Sequence, residues 1–172
     1  MGPVSNKMGN ADCYFAYGSN MNPERVAQRG LRVADPVLAV LPNFRLAFNK
    51  CSQNPPLWGH ANIVYEPGAR VEGLLYALAA NDEILKMDPF ERAPWNYGRD
   101  QIEVLLPNTG ERRWTWTYFA NPAVLVEGLL PEQSYLDHLL AGAPWLSGGY
   151  VDQLKALQPA IAQRAEALQA SN

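Results

Sequence analysis

The stretch Tyr14-Phe15-Ala16-Tyr17-Gly18-Ser19-Asn20-Met21-Asn22-Pro23-Glu24-Arg25 changes character twice. Cys13–Tyr17 is short, aromatic and apolar, the composition of a buried strand. Gly18-Ser19-Asn20-Met21 then forms a tight loop. Asn22 at an N-cap, Pro23 at the first helical position, Glu24 in the first turn and Gly30 past the end predict a short helix. Gly18 permits an unusual backbone angle and the close approach of a ligand. Successive backbone N–H groups around such a turn, with the positive end of the following helix, form an anion-binding concavity. Ser19 and Asn20 add side-chain donors and acceptors suited to a carboxylate or an amide. From the residues alone, the loop reads equally as such a site or as a plain turn before a capped helix.

Working outward, the next segments predict strands. Val33–Leu41 is continuous and apolar, and in Phe44–Phe48 apolar residues alternate with Arg45 and Ala47. Asn49–Gly59, with Asn54-Pro55-Pro56, reads as a loop. Ala61–Tyr65 and Val71–Leu78 flank Pro67-Gly68, a turn signal. Val71–Leu78 is apolar on both faces and belongs at the centre of a sheet. Asn81–Lys86 predicts a short helix. Gln101–Leu106 and Arg112–Phe119 flank Pro107-Asn108-Thr109-Gly110 as a hairpin. On the second strand Trp114, Trp116 and Tyr118 share a face, read as core. Pro131–Ala141 and the repeat Tyr150, Leu154, Leu157, Ile161, Ala165, Leu168 predict helices, the second broken near Pro159. Strand, helix, many strands and then helices make an α+β fold with a mixed, strongly curved sheet or barrel. The 172 residues suit one domain, with residues 1–11 expected as a flexible leader.

Composition narrows the chemistry. A net charge of −3 gives no electrostatic reason to expect nucleic acid or an anionic membrane as partner. No apolar run is long enough for a membrane span, and the N-terminus has no signal-like segment, so the expected location is cytoplasmic. The cysteines (Cys13, Cys51) and histidines (His60, His138) are two each, and no pair has the close spacing of metal ligands. Cys13 reads as a small apolar residue and His138 as a packing or surface residue. The scarcity of these residues also counts against Cys/His or Ser/His/Asp nucleophilic catalysis.

Several blocks together resemble the γ-glutamylcyclotransferase-like (AIG2-like) family. They are Tyr17-Gly18-Ser19-Asn20-Met21, Phe44–Asn49, Gly59–Val64, Val71-Glu72-Gly73-Leu74-Leu75-Tyr76, and Tyr135–Ala143 running on to Tyr150. They fall in the family's order from roughly Cys13 to Leu157. The resemblance implies that family's fold and the cyclisation of a small γ-glutamyl substrate to 5-oxoproline, without cofactor or metal, by a monomer or homodimer. Met87-Asp88-Pro89-Phe90-Glu91-Arg92 is similar to the family's Leu-Asp-x-x-Glu-Gly segment, which makes Glu91 the implied catalytic acid and base. Arg92 replaces the family's glycine, and so reshapes the loop or sets a cation beside the acid.

The residues around Glu91 are compatible with this role. Pro89, Phe90, Pro94 and Trp95 are apolar neighbours that would raise its pKa, and Arg92 would lower it. The same resemblance implies substrate contacts from Tyr17, Gly18, Ser19, Asn20, Met21, Tyr97 and Tyr118. Tyr97 and Tyr118 read equally as core aromatics, and Tyr17 reads also as a support for the loop. Arg92 and the Asn49–Trp58 loop are the candidates for distinguishing leaving groups, γ-glutamylamines among them. A non-catalytic binder of small carboxylates is the reading of another class.

Overall fold

A computed structural model describes residues 11–53 and 57–160. The expected leader (1–10) and the helical repeat from Ile161 onward lie outside the described residues. Ala11, assigned to the leader, is already buried.

Five strands close into a barrel in the order β1-β3-β2-β4-β5. They are β1 (Cys13–Ala16), β2 (Val37–Cys51), β3 (Gly59–Ala77), β4 (Tyr97–Leu106) and β5 (Glu111–Ala120). β1 lies antiparallel to β3, with Tyr14 opposite Tyr76, and parallel to β5, with Tyr14 opposite Trp116. That parallel contact makes the sheet mixed, the α+β barrel expected from the element order. Short helices sit between and after the strands: α1 (Pro23–Gln28), α2 (Asp88–Glu91), α3 (Gln133–Leu140) and α4 (Gly148–Lys155). α4 ends before Pro159, as the break there predicts. Among the described residues no helix is long and apolar enough to cross a membrane.

β1 is buried on both faces because alternate side chains feed two cores. Cys13, Phe15 and Tyr17 join Ala39, Ile63, Val71 and Leu75 in one. Tyr14 and Ala16 join Leu74, Tyr76, Leu139 and Leu154 in the other, where the closing helices pack. This double burial explains why Cys13–Tyr17 and Val71–Leu78 read as continuous apolar runs. Gly73 lets β1 and β3 meet. A Cβ there would stand 2.4 Å from the Ala16 carbonyl oxygen and 2.6 Å from the Phe15 ring.

Several boundaries differ from the sequence reading. Phe44–Phe48 is not a separate strand; β2 runs unbroken from Val37 to Cys51, so the predicted loop at Asn49 starts later. Pro67-Gly68 is not the turn of a hairpin. The strand pieces on either side both pair with β2, and Glu66–Ala69 bulge out opposite Asn43, whose side chain accepts the Gly68 N–H at 3.1 Å. A turn signal can thus be absorbed by a long strand when its neighbour offers a matching irregularity. Trp114 leaves the expected core stripe at 54% exposure, since it lies toward the turn of the β4–β5 hairpin, whereas Tyr118, near the other end, stays buried. Asn81–Lys86 narrows to a 3-10 turn over Glu83–Lys86.

Replacing Gly73 by alanine should lower unfolding stability by about 1–3 kcal/mol, the usual range for overpacking. Urea unfolding checks this, and an unchanged midpoint would show that the barrel relaxes around the extra methyl.

Candidate active site

The loop after β1 turns at Ser19–Met21 in a single 3-10 turn and hands over to α1, where the Asn22 side chain accepts the Glu24 N–H at 3.1 Å. Gly18 is not left-handed here; its φ is −116°. Crowding favours the glycine instead, because a Cβ would stand 3.0 Å from the Tyr135 hydroxyl and 3.1 Å from Ala61 Cβ, and these neighbours would have to give by a few tenths of an ångström. Within the loop, the N–H of Met21 is spent on the Gly18 carbonyl at 2.9 Å and that of Asn22 on the Ser19 carbonyl at 3.3 Å. The N–H of Ser19 faces the Tyr135 hydroxyl, so among the described residues those of Gly18 and Asn20 remain as the part of the turn able to meet an anion.

Glu91 closes α2 from the other side of the chain. Its segment is anchored through Glu83, whose buried carboxylate accepts the Arg32 N–H at 2.9 Å and the Lys86 ammonium at 2.8 Å. Glu91 Oε1 accepts Asn20 Nδ2 at 3.0 Å and Arg29 Nη1 at 3.1 Å. Arg29 also donates to Asn20 Oδ1 at 3.0 Å, so the three side chains form one network. The side chains of Arg29 and Glu91 are only 12% and 14% exposed. Burial pushes the Glu91 pKa above the ordinary glutamate value, and Arg29 and Asn20 pull part of that shift back. The apolar neighbours read from sequence are not the cause: Trp95 is 76% and Phe90 51% exposed. The cation beside the acid is Arg29, not Arg92. Arg92 caps α2 in the left-handed conformation (φ 48°, ψ 46°) and its guanidinium reaches the Gln53 side chain.

Glu91 stands where two cavities meet. A small chamber of about 30 Å³ is lined by Tyr14, Tyr17, Gly18, Ser19, Asn20, Ala61, Tyr97, Tyr118 and Tyr135 besides Glu91. A larger cleft of about 470 Å³ opens beyond it, past Ser19, Tyr97 and Tyr135, toward Lys50, His60, Trp58 and Arg92. The chamber's tyrosine hydroxyls are held in place. Tyr17 donates to the Tyr118 carbonyl, Tyr97 to the Ala61 carbonyl at 2.8 Å, and Tyr118 to Asp88 Oδ1 at 2.6 Å. The Tyr14 hydroxyl accepts from Asn20 at 2.8 Å, and that of Tyr135 accepts the Ala61 N–H at 3.0 Å.

Of the residues singled out in the sequence, Tyr17, Gly18, Ser19, Asn20, Glu91, Tyr97 and Tyr118 come together around the chamber. Met21 does not; its side chain is fully buried in the helix-side core and lines neither cavity. Arg29, Tyr14 and Tyr135 were missed as site residues, and Lys50 was covered only as part of the Asn49–Trp58 loop. Tyr135 opens one of the resembling blocks and Tyr14 lies in the strand just before another, which was their signal. Arg29 carries none, since 62 positions separate it from the carboxylate it pairs with. His138 packs as expected, with its ring nitrogens 3.1 Å from the Asn22 amide and 3.4 Å from the Arg25 guanidinium.

A family model described as "Gamma-glutamyl cyclotransferase, AIG2-like" matches residues 14–146. No curated protein gives a significant match. Among solved structures, an uncharacterized protein from Homo sapiens is 27% identical with a TM-score of 0.76, covering 88% of this chain and 90% of its own. A protein described as gamma-glutamyl cyclotransferase is 24% identical with a TM-score of 0.73, covering 87% and 89%. A yeast cyclotransferase described as specific to glutathione shares the fold at 12% identity and a TM-score of 0.62, covering 85% and 94%.

Two outcomes follow from this geometry. Replacing Arg29 with methionine removes a cation from beside Glu91 and leaves its burial uncompensated, so the carboxyl should titrate at a higher pH than in the wild type. Carboxyl carbon chemical shifts followed by NMR report this, and an unmoved or lowered midpoint contradicts the balance drawn here. Replacing Arg92 with glycine should stabilise the fold by about 1 kcal/mol, since glycine adopts the left-handed cap without a Cβ penalty. Thermal unfolding of the variant checks that sign.

Proposed function

The chain belongs to the γ-glutamyl cyclotransferase, AIG2-like family, and on that premise we propose that it cyclises a γ-glutamyl compound to 5-oxoproline with release of the free amine. One observation carries the reading. A shielded carboxylate with a raised pKa stands at the junction of a small chamber and a larger cleft, with Oε1 tied to Arg29 and Asn20. Among the described residues Oε2 has no hydrogen-bond donor, so it is the oxygen available for proton traffic.

The reaction needs no nucleophile from the enzyme, because the substrate carries its own. Glu91 Oε2 takes a proton from the α-ammonium, and the freed amine attacks the γ-carbonyl carbon to close a five-membered ring. Glu91 returns that proton to the leaving nitrogen as its C–N bond breaks, and the second proton of the ring nitrogen passes by way of the same carboxylate to the departing amine, which leaves as an ammonium while the ring becomes a neutral lactam. Holding the glutamyl chain folded against the loop and Glu91, where the cleft meets the chamber, supplies the positioning that makes the ring closure fast. The N–H groups of Gly18 and Asn20 are the donors in reach for the α-carboxylate or the developing oxyanion. The hydroxyls of Tyr17, Tyr97 and Tyr118 are committed to protein acceptors, so these rings shape the chamber by packing. The carboxylate must be ionised to start the cycle, and its raised pKa also makes it a competent acid at the end.

A 5-oxoproline assay over γ-glutamyl amino acids, amines and peptides tests the proposal, with Glu91→Gln alongside. Turnover should fall by at least about 10²-fold, the lower range for removing a general acid–base group. Undiminished release would overturn the assignment, and tight binding of γ-glutamyl ligands without turnover would make the protein a binder. The kcat/KM of the wild type should rise with pH along a limb whose midpoint lies above the ordinary glutamate value, because the base acts only when deprotonated.

A further inference from the structure

The larger cleft holds more positive charge than the chemistry at Glu91 uses. Arg25, Arg29, Lys50 and Arg92 line it against a single carboxylate, Glu91, in a chain whose net charge is −3. Arg29 is committed to Glu91 and Arg92 reaches Gln53. Lys50 has no such commitment. It is 3% exposed, and among the described residues its ammonium has neither a hydrogen-bond acceptor nor a carboxylate partner; its recorded contact is the Tyr97 ring, 5.8 Å away. A buried ammonium with no counter-ion in contact is unfavourable; burial pushes its pKa down, and Cys51 and Glu91, acting at a distance, return only part of that shift. Nearby, the buried Arg25 Nε also lacks an acceptor. Both cations act on His60, which burial and their charge hold neutral with a pKa of about 4 while its ring stacks on Tyr135 at 4.8 Å. His60 therefore adds no charge of its own.

The backbone puts Lys50 there. Between Ala47 and Lys50 the β2 strand carries one residue more than β3 does between Asn62 and His60, a bulge that sets Lys50 opposite His60. Lys50 is bridged on its other side by Leu125. The position is therefore fixed by pairing on both edges. It also lies outside the small chamber, which leaves Lys50 for whatever extends past Tyr97.

We propose that Lys50 is the specificity residue for the leaving group, binding the carboxylate of a departing amino acid or peptide and selecting such donors over γ-glutamylamines. The proposal rests on the cyclotransferase reading above. The glutamyl half must place its α-ammonium at Glu91, and hence its α-carboxylate at the neighbouring loop. The second carboxylate of a γ-glutamyl amino acid then lies on the far side of the scissile amide, in the cleft with Lys50. A donor with two carboxylates also complements a cleft with surplus cations better than a neutral amide does.

The test compares γ-glutamylalanine with γ-glutamylalaninamide, which keeps the shape and loses the charge, in wild type, Lys50→Met and Lys50→Arg. Wild type should favour the acid. Lys50→Met should lower kcat/KM for the acid by about 10- to 100-fold, the scale of a lost charge-assisted hydrogen bond, and leave the alaninamide within about 2-fold. Lys50→Arg should restore part of the preference. A γ-glutamylalanyl-glycine arm shows whether the selected carboxylate belongs to an amino acid or to a peptide end. Equal wild-type turnover of acid and alaninamide, or an equal loss of both in Lys50→Met, overturns the inference and leaves the cyclotransferase reading standing. No 5-oxoproline from any donor overturns that reading and the inference with it.

Discussion

Glu91 Oε1 accepts two hydrogen bonds from the loop and helix that follow β1, one from Asn20 and one from Arg29. This contact joins parts of the chain that no local rule connects. It requires α2 to present its last turn to the 3-10 turn at Ser19–Met21, which in turn requires β1 to be held between β3 and β5. The barrel's parallel seam therefore serves the site directly. Tyr76 on β3 extends the same tie, since its hydroxyl donates to the Asn20 carbonyl at 2.8 Å and fixes the backbone whose side chain holds the carboxylate.

The network also sets the acid's electrostatic balance. A carboxylate this shielded would resist ionising, while a bare ion pair with Arg29 would hold it permanently charged. Burial wins by a margin that Arg29 and Asn20 trim, and both partners use the same oxygen. One oxygen is thereby fixed while the other has no hydrogen-bond donor among the described residues. A lone Arg–Glu pair on the surface would offer neither the raised pKa nor the fixed orientation.

The sequence disclosed what depends on local chemistry. The strand, loop and capped helix at Cys13–Gln28 were legible because the signals are successive residues: apolar run, glycine, N-cap, proline. Val71–Leu78 was legible because both faces of β3 are buried there. What stayed hidden depends on a partner strand. Pro67-Gly68 has the composition of a turn, and only the pairing of β2 with both flanking pieces makes it a bulge. Lys50 fell inside a predicted loop for the same reason: one extra residue in β2 keeps the strand going and sets the lysine opposite His60. Arg29 was hidden by distance along the chain, and the neighbours that were visible, Phe90 and Trp95, proved largely exposed.

Arg92 shows which part of the resemblance is physical. The resembling segment has glycine after the catalytic glutamate, and substitution by arginine first reads as a change in the charge beside the acid. Instead, Arg92 keeps the left-handed backbone that a glycine would adopt freely, and turns its guanidinium away to Gln53. The backbone cost is on the order of 1–2 kcal/mol, small enough for the packing on either side to impose. The turn itself is what the site needs: it ends α2 immediately after Glu91 and sends the chain back toward Tyr97 at the start of β4. The residue type can vary as long as that reversal survives, because charge beside the acid is set chiefly by Arg29 from across the fold, with the cleft's Arg25 adding a smaller pull in the same direction.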